Sequence, residues 1–311
     1  NIGHQLTSAT IQLVSNTGFI QINDYLINEK GVVANFKYST LGITTTIKKA
    51  KTVLATLPPV KEIAINWSGT RFLEGESAVV AFNPGKSLRY KYGQMNLLVV
   101  GKYFEATNTL RLKDEYLYGI SEVSSSWPRE MLRAQVMAAR TYAIAKAGIY
   151  RPSCDCDLYG TIQDQLFVGM SKLNEGKYGA LWKEAVDSTS VDEENGLAIT
   201  YAGNPISAYY TSSSGGQTES ALNAFGTAVD YLQPVADPVS LDPVRNPNYA
   251  VWKRTINGLV VAKAFGLLDV QKLEIKDKRI EATSLNGTKV SLRLETFRSR
   301  AGLPSSFFTI S

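Results

Sequence analysis

The first hundred residues alternate apolar and polar positions in short runs, the period-two signature of half-buried strands. Ala9–Val14, Phe19–Ile22, Val32–Tyr38, Thr44–Lys48 and Leu88–Tyr92 carry it, rich in β-branched and aromatic side chains. Asn16, Gly18, Asn23, Gly31 and the triplet Asn83-Pro84-Gly85 punctuate the runs as turns. Lys48 to Leu57 reads as a short helix ahead of Pro58-Pro59. These patterns predict an antiparallel, β-rich region over 1–105, a candidate subdomain.

From residue 106 the period lengthens. The spacing predicts a helix over about 127–147, with Pro128 in its first turn and Ser125 or Ser126 available as a cap. At about 100° per residue, Leu132, Val136, Ala139 and Ala143 share one apolar face. Met131, Gln135, Ala138 and Tyr142 form a second, nearly apolar face, so the helix is expected to be packed from both sides. Arg133 and Arg140 fall together on the remaining stripe, with Arg129 close behind. A second helix fits Tyr178–Ser188. Leu197–Tyr201 and Ile206–Thr211 read as strands joined by an Ala-Gly-Asn-Pro turn. A long ordered loop follows over 230–247, then a helix over 255–268 and charged strands near 272–280 and 289–294. Strands, helices and strands again make the fold class α+β, with 106–311 a mixed core around the buried helix.

Bulk chemistry mostly excludes. The balance of 33 Lys+Arg against 28 Asp+Glu is too even and too scattered to argue for nucleic acid. No apolar run approaches the roughly 18 residues that cross a bilayer. The chain opens at Asn1 without Met and reads as a processed product. His4, its one histidine, lies in the terminal segment, which nearly excludes Ser-His-Asp and Cys-His catalysis. Cys154 and Cys156 are too few for a four-ligand zinc site; a small local disulfide and free thiols both remain open. No cofactor and no metal are expected.

Candidate chemistry centres on Glu122, in a Ser-rich turn at the entrance to the predicted helix. Taken alone, an ordinary surface acid in a turn is its commoner reading. Asp155, Asp157 and Asp164 offer a second carboxylate for hydrolysis, or simply a solvated acidic loop. The loop Thr211–Thr218 lacks the Lys of a phosphate-binding loop. Tyr90, Tyr92, Tyr103 and Phe104 suit stacking on sugar rings, with core packing the commoner role. Arg133 and Arg140, by the same reasoning, suit pairing with carboxylates on neighbouring loops.

The run from Glu122 through Trp127-Pro128, Glu130, Leu132-Arg133, Gln135 and Ala139-Arg140-Thr141-Tyr142-Ala143 resembles the core motif of the stage II sporulation protein D / LytB family. Glu115–Gly119, Gln163–Gly169, Ala208–Glu219, Tyr231–Val235 and Arg298–Ile310 continue the likeness in order. Arg133 stands where the family usually has Lys, and Val123-Ser124 where it has Met-Pro. The resemblance implies a lytic transglycosylase that cuts the MurNAc–GlcNAc bonds of peptide-stripped glycan strands, outside the cytoplasm. It implies Glu122 as the single general acid/base. It further implies Arg133, Arg140, Tyr210, Ser213, Ser214 and Gln217 as substrate contacts, the last four as a cleft wall. Some relatives carry zinc on a Cys/His-bearing loop; without those histidines none is expected here. For other relatives it implies a non-catalytic role, binding peptidoglycan and enhancing an amidase.

Overall fold

The structure, a computed structural model, describes residues 1–83, 88–277 and 279–310. Part of the turn expected at 83–85 therefore lies outside the described residues. The chain separates into two compact units, 1–210 and 211–311. The fold is α+β, with antiparallel pairing in its sheets.

In the first unit the strands are β1 Gly3–Leu6, β2 Ser8–Leu13, β3 Ile20–Ile22, β4 Tyr25–Ile27, β5 Val32–Ser39 and β6 Gly42–Lys49. They continue as β7 Thr52–Val60, β8 Glu62–Trp67, β9 Val80–Asn83, β10 Leu88–Tyr90, β11 Gln94–Val100 and β12 Tyr103–Thr109. Two six-stranded sheets result, ordered β1-β12-β11-β8-β3-β4 and β10-β9-β2-β5-β6-β7. Alternate residues of β2 and β8 are buried, as a strand with one face on a core requires. Ile11, Ile47, Ile65 and Trp67 from these sheets join a single hydrophobic cluster. Tyr90 and Phe104 are buried within it, whereas Tyr103 is exposed.

Over Lys48–Leu57, where a helix is expected, the chain instead ends β6, turns at 50–51 and begins β7, which pairs with β6. Ala50 turns the chain in the left-handed region at φ 51°, and Thr52, Val53 and Thr56 are β-branched residues that favour the extended backbone. Pro58-Pro59 is tolerated there because β7 is the outermost strand of its sheet, where a missing N–H breaks no ladder.

After β12 come α1 (Glu115–Tyr118), α2 (Arg129–Lys146) and α3 (Lys177–Asp187). Sequence pattern places a boundary at 105/106, but compactness places one at 210/211. The reason is visible in the core: Leu117, Leu132, Val136, Trp182 and Val186 belong to the same cluster as the strands. The α2 helix buries Leu132, Val136, Ala139 and Ala143 as expected, together with Arg140 and Thr141. The second predicted face is only partly covered: Met131 is exposed, and Gln135, Ala138 and Tyr142 are half-buried. Nor does a serine cap the helix. Pro128 is the cap residue, Ser124 and Ser126 bond to each other, and no side-chain cap bond forms.

The second unit contains α4 (Ala221–Phe225), α5 (Gly258–Phe265) and α6 (Leu294–Ala301). The charged regions near 272–280 and 289–294 form a three-stranded antiparallel sheet: β13 Lys272–Lys276, β14 Arg279–Thr283 and β15 Lys289–Arg293. Phe265, Ile280, Ala282 and Phe297 form its core. Late in the first unit, a two-residue ladder, Thr200–Tyr201 with Asn204–Pro205, stands in place of the longer strands expected over 197–201 and 206–211. Among the described residues no helix is long and apolar enough to cross a membrane.

Candidate functional site

Two short stretches of backbone run antiparallel and set the geometry around Glu122. Val168 N–H donates to the Gly119 carbonyl at 2.8 Å, Ser121 N–H to the Leu166 carbonyl at 2.8 Å, and Ile120 bridges Phe167. Gly119 permits this approach, since a Cβ there would stand 2.2 Å from the Phe167 ring. Tyr116 stacks on the same ring, 5.8 Å between centroids and nearly parallel. The ladder delivers Glu122, itself half-buried, to the Leu166 amide, which donates to its Oε1 at 2.5 Å.

Next to Leu166, Gln165 is fully buried and joins two tyrosines. Its Oε1 accepts from the Tyr116 hydroxyl at 2.9 Å, and its Nε2 donates to the Tyr210 oxygen at 3.0 Å. Nε2 also reaches the Ala139 carbonyl at 3.4 Å, which fixes the orientation of the amide. Because Tyr210 accepts from Gln165, its own hydroxyl hydrogen is left as a donor. Burial, aided by the charge of Glu122 and opposed by the Gln165 bond, pushes the Tyr210 hydroxyl up to about 12. Burial raises Tyr116 well above the ordinary phenol value, with Tyr210, Asp164, Tyr142 and Glu122 adding to it. Both hydroxyls therefore keep their protons at neutral pH.

Asp164, one of the three acids offered by sequence as a second carboxylate, is fully engaged elsewhere. Arg151 grips it with two bonds of 2.6 and 3.0 Å, while the Tyr142 hydroxyl and the Tyr159 amide donate at 3.0 and 2.9 Å. Burial works to raise this carboxyl, but the Arg151, Tyr159 and Tyr142 bonds outweigh it and hold it below the ordinary aspartate value. With its folded value depressed, Asp164 contributes stability that is fully present above about 3.9 and is lost as pH falls through its own lower value. Asp164→Asn is expected to destabilise the protein at pH 7 by about 1–3 kcal/mol, with the difference closing in acid. Urea midpoints measured at pH 7 and pH 3 check this. Asp155 is likewise occupied, accepting from the Tyr150 hydroxyl at 2.9 Å.

The other expected contacts lie as follows. Arg133 is bound to Glu130, its Nη1 at 3.2 and 3.1 Å from the two carboxylate oxygens. Arg140 is 2% exposed and donates to the backbone carbonyls of Lys113, Thr189 and Leu197 and to the Thr189 hydroxyl. Its guanidinium ties α2 to two loops of the first unit. Ser213, Ser214 and Gln217 belong to the second unit. There Ser214 Oγ donates to Asp237 at 2.7 Å, Ser213 Oγ accepts from Asn246 at 3.0 Å, and Gln217 bridges Ala236. The structure thus brings Tyr210 into one network with Glu122, through Gln165 and Leu166.

Sequence reasoning passed over Lys172. It is 1% exposed, donates to the Val123 carbonyl at 2.5 Å and stands over the Trp182 ring at 5.1 Å. A lysine in the polar stretch Ser171–Lys177 carries no sequence signal that separates it from a solvated one. Cys154 and Cys156 are joined in a disulfide, which closes the alternative left open by sequence. Among the described residues no group of three or more His, Cys, Asp or Glu is arranged to hold a metal ion.

Comparison with known proteins falls on this same region. The family described as stage II sporulation protein (SpoIID) matches residues 101–201. An uncharacterized protein of Brachyspira hyodysenteriae is 34% identical over 145 residues, covering 45% of this chain and 36% of the relative. The amidase enhancer of Bacillus subtilis is 32% identical over 123 residues, 40% of this chain and 15% of the relative. Stage II sporulation protein D of the same organism is 28% identical over 149 residues, 45% of this chain and 42% of the relative. The chain spans less than half the length of each of these relatives. The Glu122 turn and α2 both lie inside the matched span, so it is residues 101–201 that carry the similarity to the stage II sporulation protein (SpoIID) family.

Proposed function

We propose that this protein is a lytic transglycosylase acting on peptide-stripped peptidoglycan glycan strands, with Glu122 as its single general acid/base. The observation that carries the reading is the division of labour between two nearby carboxylates. Asp164 is held ionised by Arg151, Tyr142 and the Tyr159 amide, whereas Glu122 takes one backbone N–H on Oε1. Glycosidases that hydrolyse use two working carboxylates, one of them a nucleophile or base. A site with one suits chemistry in which the same group gives and retakes a proton.

In that reaction Glu122 starts protonated on Oε2, since Oε1 is occupied by the Leu166 amide. Oε2 passes its proton to the glycosidic oxygen as the bond from C1 of MurNAc to that oxygen breaks. The resulting carboxylate then removes the proton from the sugar's own 6-hydroxyl. O6 closes on C1, giving a 1,6-anhydro ring and returning Glu122 to its starting state. No water is consumed. Tyr210, with its hydrogen free to donate beside Glu122, orients a sugar hydroxyl. Arg133 is carried as a substrate contact from the exposed side of its Glu130 pair, with Ser213, Ser214 and Gln217 as further contacts. The disulfide supports action outside the cytoplasm, where thiols oxidise.

The likeness to an amidase enhancer supports a second reading: binding of glycan without cleavage, and stimulation of a cell-wall amidase partner. One experiment separates the two. Incubation with amidase-treated strands, followed by mass spectrometry, is expected to yield 1,6-anhydro-MurNAc ends. Reducing ends would mean hydrolysis. Retained binding without cleavage, accompanied by faster amidase release of stem peptides from intact wall, would establish the second reading.

A further inference from the structure

The Glu122 turn is held at three points by one segment, 166–172. Ser121 donates its N–H to the Leu166 carbonyl, the Leu166 N–H is returned to the Glu122 carboxylate, and the Lys172 ammonium binds the Val123 carbonyl. The first two contacts are neutral or single hydrogen bonds from a backbone strip. The third is a charged side chain removed from water. Burying an ammonium is costly unless its donors are satisfied. Lys172 has Val123 O at 2.5 Å, the Glu175 carboxylate at a looser 3.6 Å and the face of Trp182. Burial lowers its proton affinity, with Glu175 opposing that shift. Its partner Glu175 is exposed, so a lysine kept only for that ion pair would stand in water with it. Instead the chain carries the ammonium inward to the one carbonyl that directly follows the acid.

We infer that Lys172 is a positioning residue for Glu122: by clamping the Val123 carbonyl it fixes the 121–123 turn and so aims the Glu122 carboxyl at its target. The inference rests on Glu122 being the working acid, and it locates the control of that acid's direction in a side chain fifty residues downstream. A hydrogen bond to a charged donor is roughly twice as strong as a neutral one, so the Lys172 contact dominates the restraint on the C-terminal side of Glu122. On the N-terminal side the ladder through Ser121 does the same job. A clamp on both sides leaves the side-chain torsions as the remaining freedom, and the Leu166 amide fixes those. Removing one clamp lets the carboxyl wander without removing any substrate contact. Rate should fall while strand binding holds.

The test compares Lys172→Met, similar in length and apolar enough for its surroundings, with Lys172→Arg, which keeps charge and donors. On peptide-stripped strands Lys172→Met is expected to lower kcat by roughly 10–100-fold, the scale of a small misplacement of a catalytic group, with KM unchanged. Lys172→Arg is expected to recover most of that rate. A second readout needs no turnover: the Leu166 amide, observed by NMR, should shift and exchange faster with solvent in the Met variant. Lys172→Gln replaces it if the Met variant does not fold, with the same direction expected. A folded Met variant with wild-type kcat and an unaltered Leu166 amide overturns the inference. Should the wild-type protein cleave no strands at all, the proposed reaction fails, yet the Leu166 amide still decides whether Lys172 holds Glu122.

Discussion

Glu122→Gln is expected to lower glycan-strand cleavage by about 10²–10⁴-fold, the range carried by a positioned general acid/base, and to leave folding and strand binding as they are. The substitution is chosen for what it preserves. The glutamine oxygen can still accept from the Leu166 amide, so the turn keeps its 2.5 Å contact. Only the second position changes, from a hydroxyl that releases its proton to an amide that does not. Both halves of the reaction fail together, because one group serves as acid and then as base. The effect therefore appears in kcat and kcat/KM alike. It is measured by quantifying 1,6-anhydro ends against time, beside sedimentation of the variant with insoluble strands. A Gln variant that cleaves at the wild-type rate removes Glu122 from the mechanism. Tyr210→Phe gives a milder comparison: it deletes one hydroxyl donor and retains the acid.

How much of this was legible in the sequence follows from whether each feature is local. The β-strands β2 and β5, the helices α2 and α3 and the turn bearing Glu122 depend on period and punctuation within ten or twenty residues, and the pattern places them. Features that depend on distant partners were hidden. β7 reads as a helix because Thr52–Val60 lacks a clean apolar–polar alternation, and most of these residues are exposed in the fold; its partner β6 decides the matter. The second apolar stripe of α2 is a count of side-chain types, and nothing in that count says that a loop will cover the Arg140 side instead. Gln165 and Leu166 fall inside a motif block, but their bonds to Tyr116, Tyr210 and Glu122 span 44 to 49 residues. Lys172 had no signal, since burial of a lysine is a property of the packed chain. The disulfide was one of two open readings, and only the folded loop selects between them.

Arg140→Met is expected to destabilise the protein by about 3 kcal/mol at pH 7, the net of several charge-assisted hydrogen bonds lost and a buried charge removed. The guanidinium meets Leu197 O at 2.8 Å, Lys113 O and Thr189 Oγ1 at 3.1 Å, and Thr189 O at 3.3 Å. Methionine fills a similar volume and leaves three carbonyls, the buried Thr189 O among them, without that donor. Burial lowers the Arg140 guanidinium to about 10, so it remains charged at pH 7, and Asp114 nearby opposes the shift. A folded value below the unfolded one means the charge itself costs stability at neutral pH; the hydrogen bonds are what hold the residue there. Gly196 packs so closely on it that a Cβ would stand 2.7 Å from Nε. Arg140→Lys should recover little, because an ammonium cannot present the planar fork that reaches both loops. Guanidinium-chloride unfolding followed by tryptophan fluorescence measures the loss, with Trp67 and Trp182 both buried in the first unit. The same variant tests the role that family resemblance gives this residue. If Arg140 contacts glycan, the Met variant unfolds at the wild-type midpoint and loses strand affinity. If it fastens α2 to its neighbouring loops, the midpoint falls and whatever protein remains folded binds strands normally. The second outcome is expected, because the guanidinium is 2% exposed and both of its terminal nitrogens already donate to protein oxygens.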